Sequence, residues 1–358
     1  MCCFSLAILI VMVLYGSSKK LIHEQNSFLR IYEKRALIKG NRLDIKYNSY
    51  YLAGLTADNI YLGNYTTPFH LMVINTGLTD TQQVSLTIEG TQAIPKSTLL
   101  KIDPPYFYMA DGRTPAVYRG EIGKWEAERF SYSNKAYFTR LIPLGDGSFA
   151  IRTNASRSSD NVLGKVRSGV DGVKLNASLL EKQVDGVFCT DGLLLYNSDL
   201  RRLIYTYYYR NQFVVYDTSL NLDYRGTTID TFSRAQIRVG YIQSEKSRQL
   251  LESKHVNLHS CTSGKYLFVK SNLLAKNDFE DRLRYESVID IYDLTNNTYR
   301  FSVALPNFDP KNPIRDFMVL DNKMLVALYD HYIIKYDMQP QFFDPPQLGL
   351  SNRDLLVK

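Results

Sequence analysis

The sequence predicts an all-β protein, a six-bladed β-propeller of four-stranded antiparallel blades whose ring is closed by the N-terminal strand region. Three observations carry this. The 27 Tyr and 17 Phe residues, with Val, Ile and Thr, favour the pleated, half-buried surface of a strand. From residue 47 onward, short strand-like runs alternate with Asp, Asn and Gly turns, and only the stretch 234–254 has a spacing that suggests a helix. The runs group into six units of roughly fifty residues, the usual period of a four-stranded blade.

Each unit reads as an apolar strand, a turn, a second apolar strand, a polar break, a third strand that often ends in Tyr-Asp, and a fourth. The first unit has runs at 50–55, 60–63, 69–75 and 84–88. The second has 99–103, 106–109, 116–118 and a strand near Trp125. The third has 138–143 and 149–152 around the turn Gly145-Asp146-Gly147, with a looser second half. The fourth carries 193–196, 203–209 and 213–217, and the fifth 266–269, 288–293 and 301–305. The sixth has 317–320, 324–328 and 332–337 but no obvious fourth strand. Tyr-Asp recurs at Tyr216-Asp217, Tyr292-Asp293 and Tyr336-Asp337. Strand-like runs at 35–38 and 43–45 precede the first unit, so residues 27–46 are expected to complete the last blade. That closure removes exposed sheet edges.

The chain of 358 residues is 45% hydrophobic and 22% charged, enough to bury a large core and without the charge excess of disorder. Residues 19–358 are expected to form one propeller domain. Cys2 to Tyr15 reads CCFSLAILIVMVLY, an uncharged run too short to span a bilayer but long enough for a signal-peptide core. Gly16, Ser17 and Ser18 supply small residues for cleavage before Lys19 and Lys20. No basic residue precedes the run and no lipoprotein Cys follows it, so residues 1–18 are read as a signal peptide or a membrane anchor, with cleavage favoured. Cys189 and Cys261 remain, too few for a disulfide framework, and are expected as buried free thiols.

Net charge is +7, but beyond Arg30, Lys34, Arg35, Lys39, Arg42 and Lys46 the basic residues alternate with acidic ones. This reads as a solvated surface, and nucleic acid is not an expected partner. No nucleophile elbow, phosphate-binding Gly loop, metal-binding Cys pair or HExxH helix occurs, which disfavours an enzyme and gives no catalytic residues. His255 and His259 share one face of an element but lack carboxylate support, and are read as structural. Asp111-Gly112 and Asp146-Gly147 lack the oxygen series Ca²⁺ requires and read as turns. No metal or cofactor is expected. In the cluster Tyr205, Tyr207, Tyr208 and Tyr209, alternation sends the odd-numbered rings to one blade face, where packing between blades explains them.

One constellation stands out as a candidate ligand-binding set. The residues ending the second strand of successive units are Asn64, Asp111, Arg152, Arg210, Lys270 and Asp330. Arg152, Arg210 and Lys270 form a basic arc that would take carboxylate or phosphate, the arginines bidentately.

The strand rhythm and turn residues quoted above resemble those of TolB-like and NHL-like six-bladed propellers, including uncharacterised exported bacterial ones, over nearly all of the mature chain. The resemblance implies architecture; those families include scaffolds, receptors and hydrolases, so function does not follow from it. The resulting expectation is a non-catalytic binding or scaffold module of the bacterial cell envelope, periplasmic or anchored to the outer side of the inner membrane. It would engage a protein or an anionic ligand on one propeller face, with the membrane within reach of the N-terminal apolar segment. The alternative is a glycan- or peptide-processing hydrolase or lyase with dispersed catalytic residues. A third reading, electrostatic attachment to anionic membrane or nucleic acid, predicts steep salt dependence.

Overall fold

In the computed structural model, the described residues are 6, 8–14, 26–90, 95, 97–130, 136–169, 172–242 and 247–343. Six four-stranded antiparallel blades form the propeller, and the innermost strands of the blades neighbour one another around a central channel. Blade 1 comprises β2 (Tyr50–Leu55), β3 (Asn59–Asn64), β4 (His70–Asn75) and β5 (Thr81–Ser85). Blade 2 comprises β7 (Leu99–Asp103), β8 (Tyr106–Asp111), β9 (Ala116–Glu121) and β10 (Glu126–Arg129), with the short β6 (Thr87–Ile88) added parallel at its outer edge. Blade 3 has β11 (Arg140–Pro143), β12 (Ser148–Asn154), β13 (Asn161–Arg167) and β14 (Lys174–Asn176). Blade 4 has β15 (Gly192–Asn197), β16 (Arg202–Tyr207), β17 (Gln212–Asp217) and β18 (Leu222–Thr227).

A hairpin, β19 (Ile237–Ile242) with β20 (Ser247–Ser253), separates blade 4 from blade 5. Blade 5 has β21 (Asn257–Ser263), β22 (Tyr266–Ser271), β23 (Glu286–Asp293) and β24 (Thr298–Pro306). Blade 6 takes β25 (Asp316–Leu320), β26 (Met324–Leu328) and β27 (Tyr332–Met338) from the end of the chain and its outermost strand, β1 (Leu37–Asp44), from the beginning. The β1–β27 register runs from Leu37 opposite Met338 to Asp44 opposite Tyr332, so the ring closes through the N-terminal strand.

The stretch with helical spacing, 234–254, is corrected to the β19–β20 hairpin. The two halves pair as antiparallel strands, from Ile237 opposite Ser253 to Ile242 opposite Ser247, and Ile237 and Leu250 pack against the buried Tyr209, Cys189 and Ala235. The first strand of blade 5, β21, falls outside the apolar runs read for that unit because its NLHSCTS sequence is mostly polar.

Large apolar side chains fill each space between blades. Tyr51, Leu71 and Phe107 join blades 1 and 2; Tyr108, Phe149 and Val166 join 2 and 3. Tyr205 and Tyr207 sit with Leu163 between 3 and 4, their rings 5.4 Å apart and edge to face. Phe213 and Leu267 join 4 and 5, Phe268 and Phe317 join 5 and 6, and Leu52 and Val326 seal 6 against 1. The recurring Tyr-Asp pairs divide labour between packing and turn formation. Tyr216, Tyr292 and Tyr336 are buried between blades, while Asp217 and Asp293 accept backbone N–H bonds from the turns that follow.

A strap preceding β1 is pinned to blade 5 by Arg30, whose side chain is fully buried. Arg30 Nε donates to Asp290 Oδ1 at 2.8 Å and Nη2 to Asp290 Oδ2 at 3.1 Å, while Nη1 donates to Asp278 Oδ2 at 2.7 Å and to the Leu273 carbonyl at 2.9 Å. Residues 8–14 of the apolar run are helical, and no helix among the described residues is long and apolar enough to cross a membrane. The cleavage region Gly16–Ser18, Lys19, Lys20, Cys2 and Cys3 lie outside the described residues. Cys189 and Cys261 are free and buried.

Candidate functional site

The two faces of the ring differ in what connects the strands. First strands start at one face and second strands return to it, so second-to-third and blade-to-blade connections all gather there. Those connections include the segments 129–140, 176–192, 227–257, 271–286 and 306–316. At the opposite face, the described connections between first and second and between third and fourth strands are short turns, such as Pro104-Pro105 and 321–323. Propellers build recognition surfaces from long loops on a rigid ring, which singles out the loop face.

Six exposed Tyr and Phe residues occur among the described residues, and all six belong to the loop face: Tyr47, Tyr65, Tyr137, Tyr241, Phe279 and Tyr285. They come from five separate connections. Exposed aromatic rings present large, rigid contact area at small conformational cost, the composition of a contact surface rather than of a solvated one.

The centre of this face is the mouth of the channel. Lys101 on β7, Arg140 opening β11, His259 on β21 and Asp316 opening β25 lie on innermost strands near their loop-face ends. Asp316 is the hub: Oδ1 lies 3.0 Å from His259 Nε2, and Oδ2 accepts the Leu52 N–H at 3.2 Å. The His259 and Asp316 side chains retain 23% and 20% exposure, as expected for groups walled in by strands yet wetted by a channel. Burial pushes the Asp316 carboxyl up, but His259, Lys101 and the Leu52 N–H together outweigh it and hold the group below its ordinary value.

Burial pushes the Lys101 ammonium down, an effect opposed by Asp316 and reinforced by Arg140. Arg140 Nε is buried without a hydrogen-bond partner. Tyr208, following β16, and Tyr65, following β3, reach into the same electrostatic neighbourhood. Tyr65 also stacks on Tyr51, ring centres 4.5 Å apart.

The six residues expected at second-strand ends all lie towards this face, one strand outward from the channel, and each makes a polar contact within the protein, although Arg210 Nε and Nη1 are buried without a hydrogen-bond partner. Asn64 Oδ1 accepts from Thr66 N at 2.9 Å and Thr67 N at 3.2 Å, and Asp111 caps its own turn through Thr114 N at 3.0 Å and Ser97 Oγ at 2.8 Å. Arg152 pairs with Asp191 and donates to Tyr205 Oη at 3.1 Å and the Gly192 carbonyl at 3.2 Å. Arg210 is fully buried over the Tyr207 ring and donates from Nη2 to the Glu181 carbonyl at 2.9 Å. Lys270 Nζ donates to the Ile314 carbonyl, and burial lowers its pKa to about 8. Asp330 pairs with Arg315 at 3.4 Å.

The three basic residues of the arc therefore point into packed protein, whereas Lys101 and Arg140 lie on innermost strands. The signal for these was a lone charge inside an apolar first strand, as in Leu99-Leu100-Lys101-Ile102. His255 packs against Tyr209 with ring centres 4.7 Å apart and tilted by 55°, apart from the His259–Asp316 pair, and no group of three His, Cys, Asp or Glu suited to a metal occurs among the described residues.

No protein-family model matches the sequence, and no curated protein matches it. Among solved structures, the chain is similar to a member of the DUF4221 family from Bacteroides vulgatus, with a TM-score of 0.53 and 10% identity over 88% of this chain and 99% of that one. It is also similar to YCF48 bound to D1 peptide (TM-score 0.48, 8% identity, 87% of this chain and 98% of that one) and to streptogramin B lyase (0.47, 8%, 87% and 99%). At these identities the likeness is one of fold alone: the chain is a six-bladed β-propeller.

Proposed function

We propose that this propeller is a non-catalytic binding module that holds a protein or peptide partner on its loop face, with the channel mouth at the centre of the contact. The observation that carries the reading is the gathering of all six exposed aromatic residues of the described chain onto that face. Aromatic anchors around a polar centre are the usual composition of a protein-binding hot spot. The same proposal includes export to the bacterial envelope, supported by the apolar run from Cys2 to Tyr15, and kinship with TolB-like propellers, supported by the blade rhythm.

The test is co-purification from gently cross-linked envelopes, comparing wild type with a Tyr65→Ser, Tyr137→Ser, Tyr241→Ser variant. A defined partner recovered by the first and lost by the second supports the reading; equal recovery removes it. A hydrolytic reading draws on the His259–Asp316 pair, an imidazole oriented by a carboxylate inside a channel. Turnover of glycan or peptide substrates that His259→Gln abolishes would favour it.

A further inference from the structure

We infer that the channel mouth is a carboxylate-binding site, formed by Lys101 and Arg140 and bounded by Asp316, into which one carboxylate of the bound ligand inserts. This rests on the loop face being the binding face and names the chemistry at its centre.

The argument begins with charge. Of the other cations towards this face, Arg152 has Asp191, Arg315 has Asp330, and Arg30, beside blade 5, has Asp290 and Asp278, while the buried Arg210 and Lys270 have the Glu181 and Ile314 carbonyls in place of a carboxylate partner. Lys101 and Arg140 have none within ion-pair distance among the described residues. Asp316 acts on Lys101 through space but lies 3.0 Å from His259 Nε2 and accepts the Leu52 N–H at 3.2 Å. Neither cation has a carboxylate in contact, in a site whose walls lower the effective dielectric and raise the cost of leaving charge unmatched.

Lys101 and Arg140 bring two positive charges against the one negative charge of Asp316, an excess that favours an anion. A carboxylate, with one charge, sits beside the Asp316 carboxylate at less electrostatic cost than a dianionic phosphate. A carboxylate also fits the donor geometry, because a guanidinium offers paired N–H groups to two coplanar oxygens while an ammonium takes the remaining lone pairs. Arg140 Nε is buried and unpaired, so one donor of such a fork is waiting. Tyr208 and Tyr65 hydroxyls stand in the same neighbourhood to complete the shell. The aromatic rim of the face then surrounds a charged socket, an arrangement that selects a ligand with an apolar body and an anionic tip.

Carboxylates of this kind come from a peptide C-terminus, an acidic side chain, or a small free acid. Three probes separate them: a pool of hexapeptides with free C-termini, the same pool amidated, and succinate, with inorganic phosphate as the contrasting anion. Binding is measured at pH 7 and low salt on wild type, Lys101→Met, Arg140→Met and Lys124→Met, the last an exposed lysine on the turn face. The expected result is saturable binding of at least one carboxylate probe, weakened at least tenfold by each channel substitution and unchanged by Lys124→Met. Loss on amidation assigns the C-terminus, retention assigns acidic side chains, and succinate alone assigns a small acid.

A second readout needs no substitution: the carboxylate probe should slow acetylation of Lys101, followed by mass spectrometry, and leave Lys124 unaffected. Phosphate binding in preference to every carboxylate, saturable binding insensitive to both channel substitutions, or no saturable binding of any carboxylate probe at millimolar concentration overturns the inference. If the wild-type partner is nevertheless captured through Tyr65, Tyr137 and Tyr241, the binding face stands and only the carboxylate socket falls.

Discussion

Lys270 offers a quantitative test of how the space between blades 5 and 6 is organised. Its ammonium is buried on β22, 6% exposed, with the Ile314 carbonyl as acceptor and no carboxylate. Burial brings its pKa from 10.5 down to about 8. At 1.36 kcal/mol per pH unit, holding the charged form in the folded chain at pH 7 costs about 3 kcal/mol. Lys270→Met keeps the volume and removes the charge, but strands the Ile314 carbonyl, a loss of about 1 kcal/mol. The net expectation is a variant more stable than wild type by about 2 kcal/mol at pH 7.

The pH dependence has a definite sign. Between pH 8 and 10.5 the unfolded chain holds a proton on Lys270 that the folded chain has released, so wild-type stability from this group rises with pH across that window. Below pH 8 both states are protonated and the penalty is constant. The advantage of Lys270→Met should therefore shrink from pH 8 upward and reverse near pH 10. Urea unfolding of both proteins at pH 7, 8, 9 and 10 reads this directly, because the difference between them cancels titration of the many tyrosines. A difference that stays flat from pH 7 to 10, or a variant less stable at pH 7, would refute the reasoning.

Other expectations follow from single contacts. Arg30→Met leaves Asp290 and Asp278 buried without their shared cation and should cost about 3–5 kcal/mol in thermal or urea unfolding. Tyr216 Oη is buried without a hydrogen-bond partner, so Tyr216→Phe should be neutral or stabilising by about 1 kcal/mol in the same assay. Gly63→Ala would place a Cβ 2.4 Å from the Tyr51 ring and displace the hydroxyl that accepts the Leu100 N–H, lowering Tm by several degrees; an unchanged Tm would contradict that packing. Tyr137→Ser, on an exposed ring, should leave stability within about 0.5 kcal/mol while weakening partner capture.

How far the sequence was readable depended on whether a residue's role was local. Blade 1 was legible almost strand by strand because each strand is an apolar run bounded by turn residues, and Tyr216-Asp217 announced both a packed ring and a turn cap. β21 was opaque because Asn257, Ser260 and Ser263 occupy most of its buried positions, leaving few apolar positions to register. The β19–β20 hairpin was misread because a short segment with Ile237, Tyr241 and Leu250 satisfies two periods at once, and only contact with Tyr209 decides between them. The binding set was drawn from strand ends, a one-dimensional criterion that finds the right face. Whether Arg152 or its strand partner Arg140 meets solvent depends on blade rotation, which spacing along the chain does not encode. Lys101 and Asp316, more than two hundred residues apart, become neighbours only once the ring is closed.

That closure also sets an order of events in time. β1 leaves the ribosome before any other blade strand, yet its hydrogen-bonding partner β27 is the last blade strand made. Until then its N–H and C=O groups have no partner in the ring, and blade 6 lacks its outer wall. The pairing carries one of the longest sequence separations in the molecule, a contact that forms slowly and late. A chain interrupted before residue 332 would hold five nearly complete blades and an unsatisfied edge at each end of the arc, the form most prone to joining a second copy. The ring is thus a self-inspecting product: only a chain made through to its last strand can hide both of its edges.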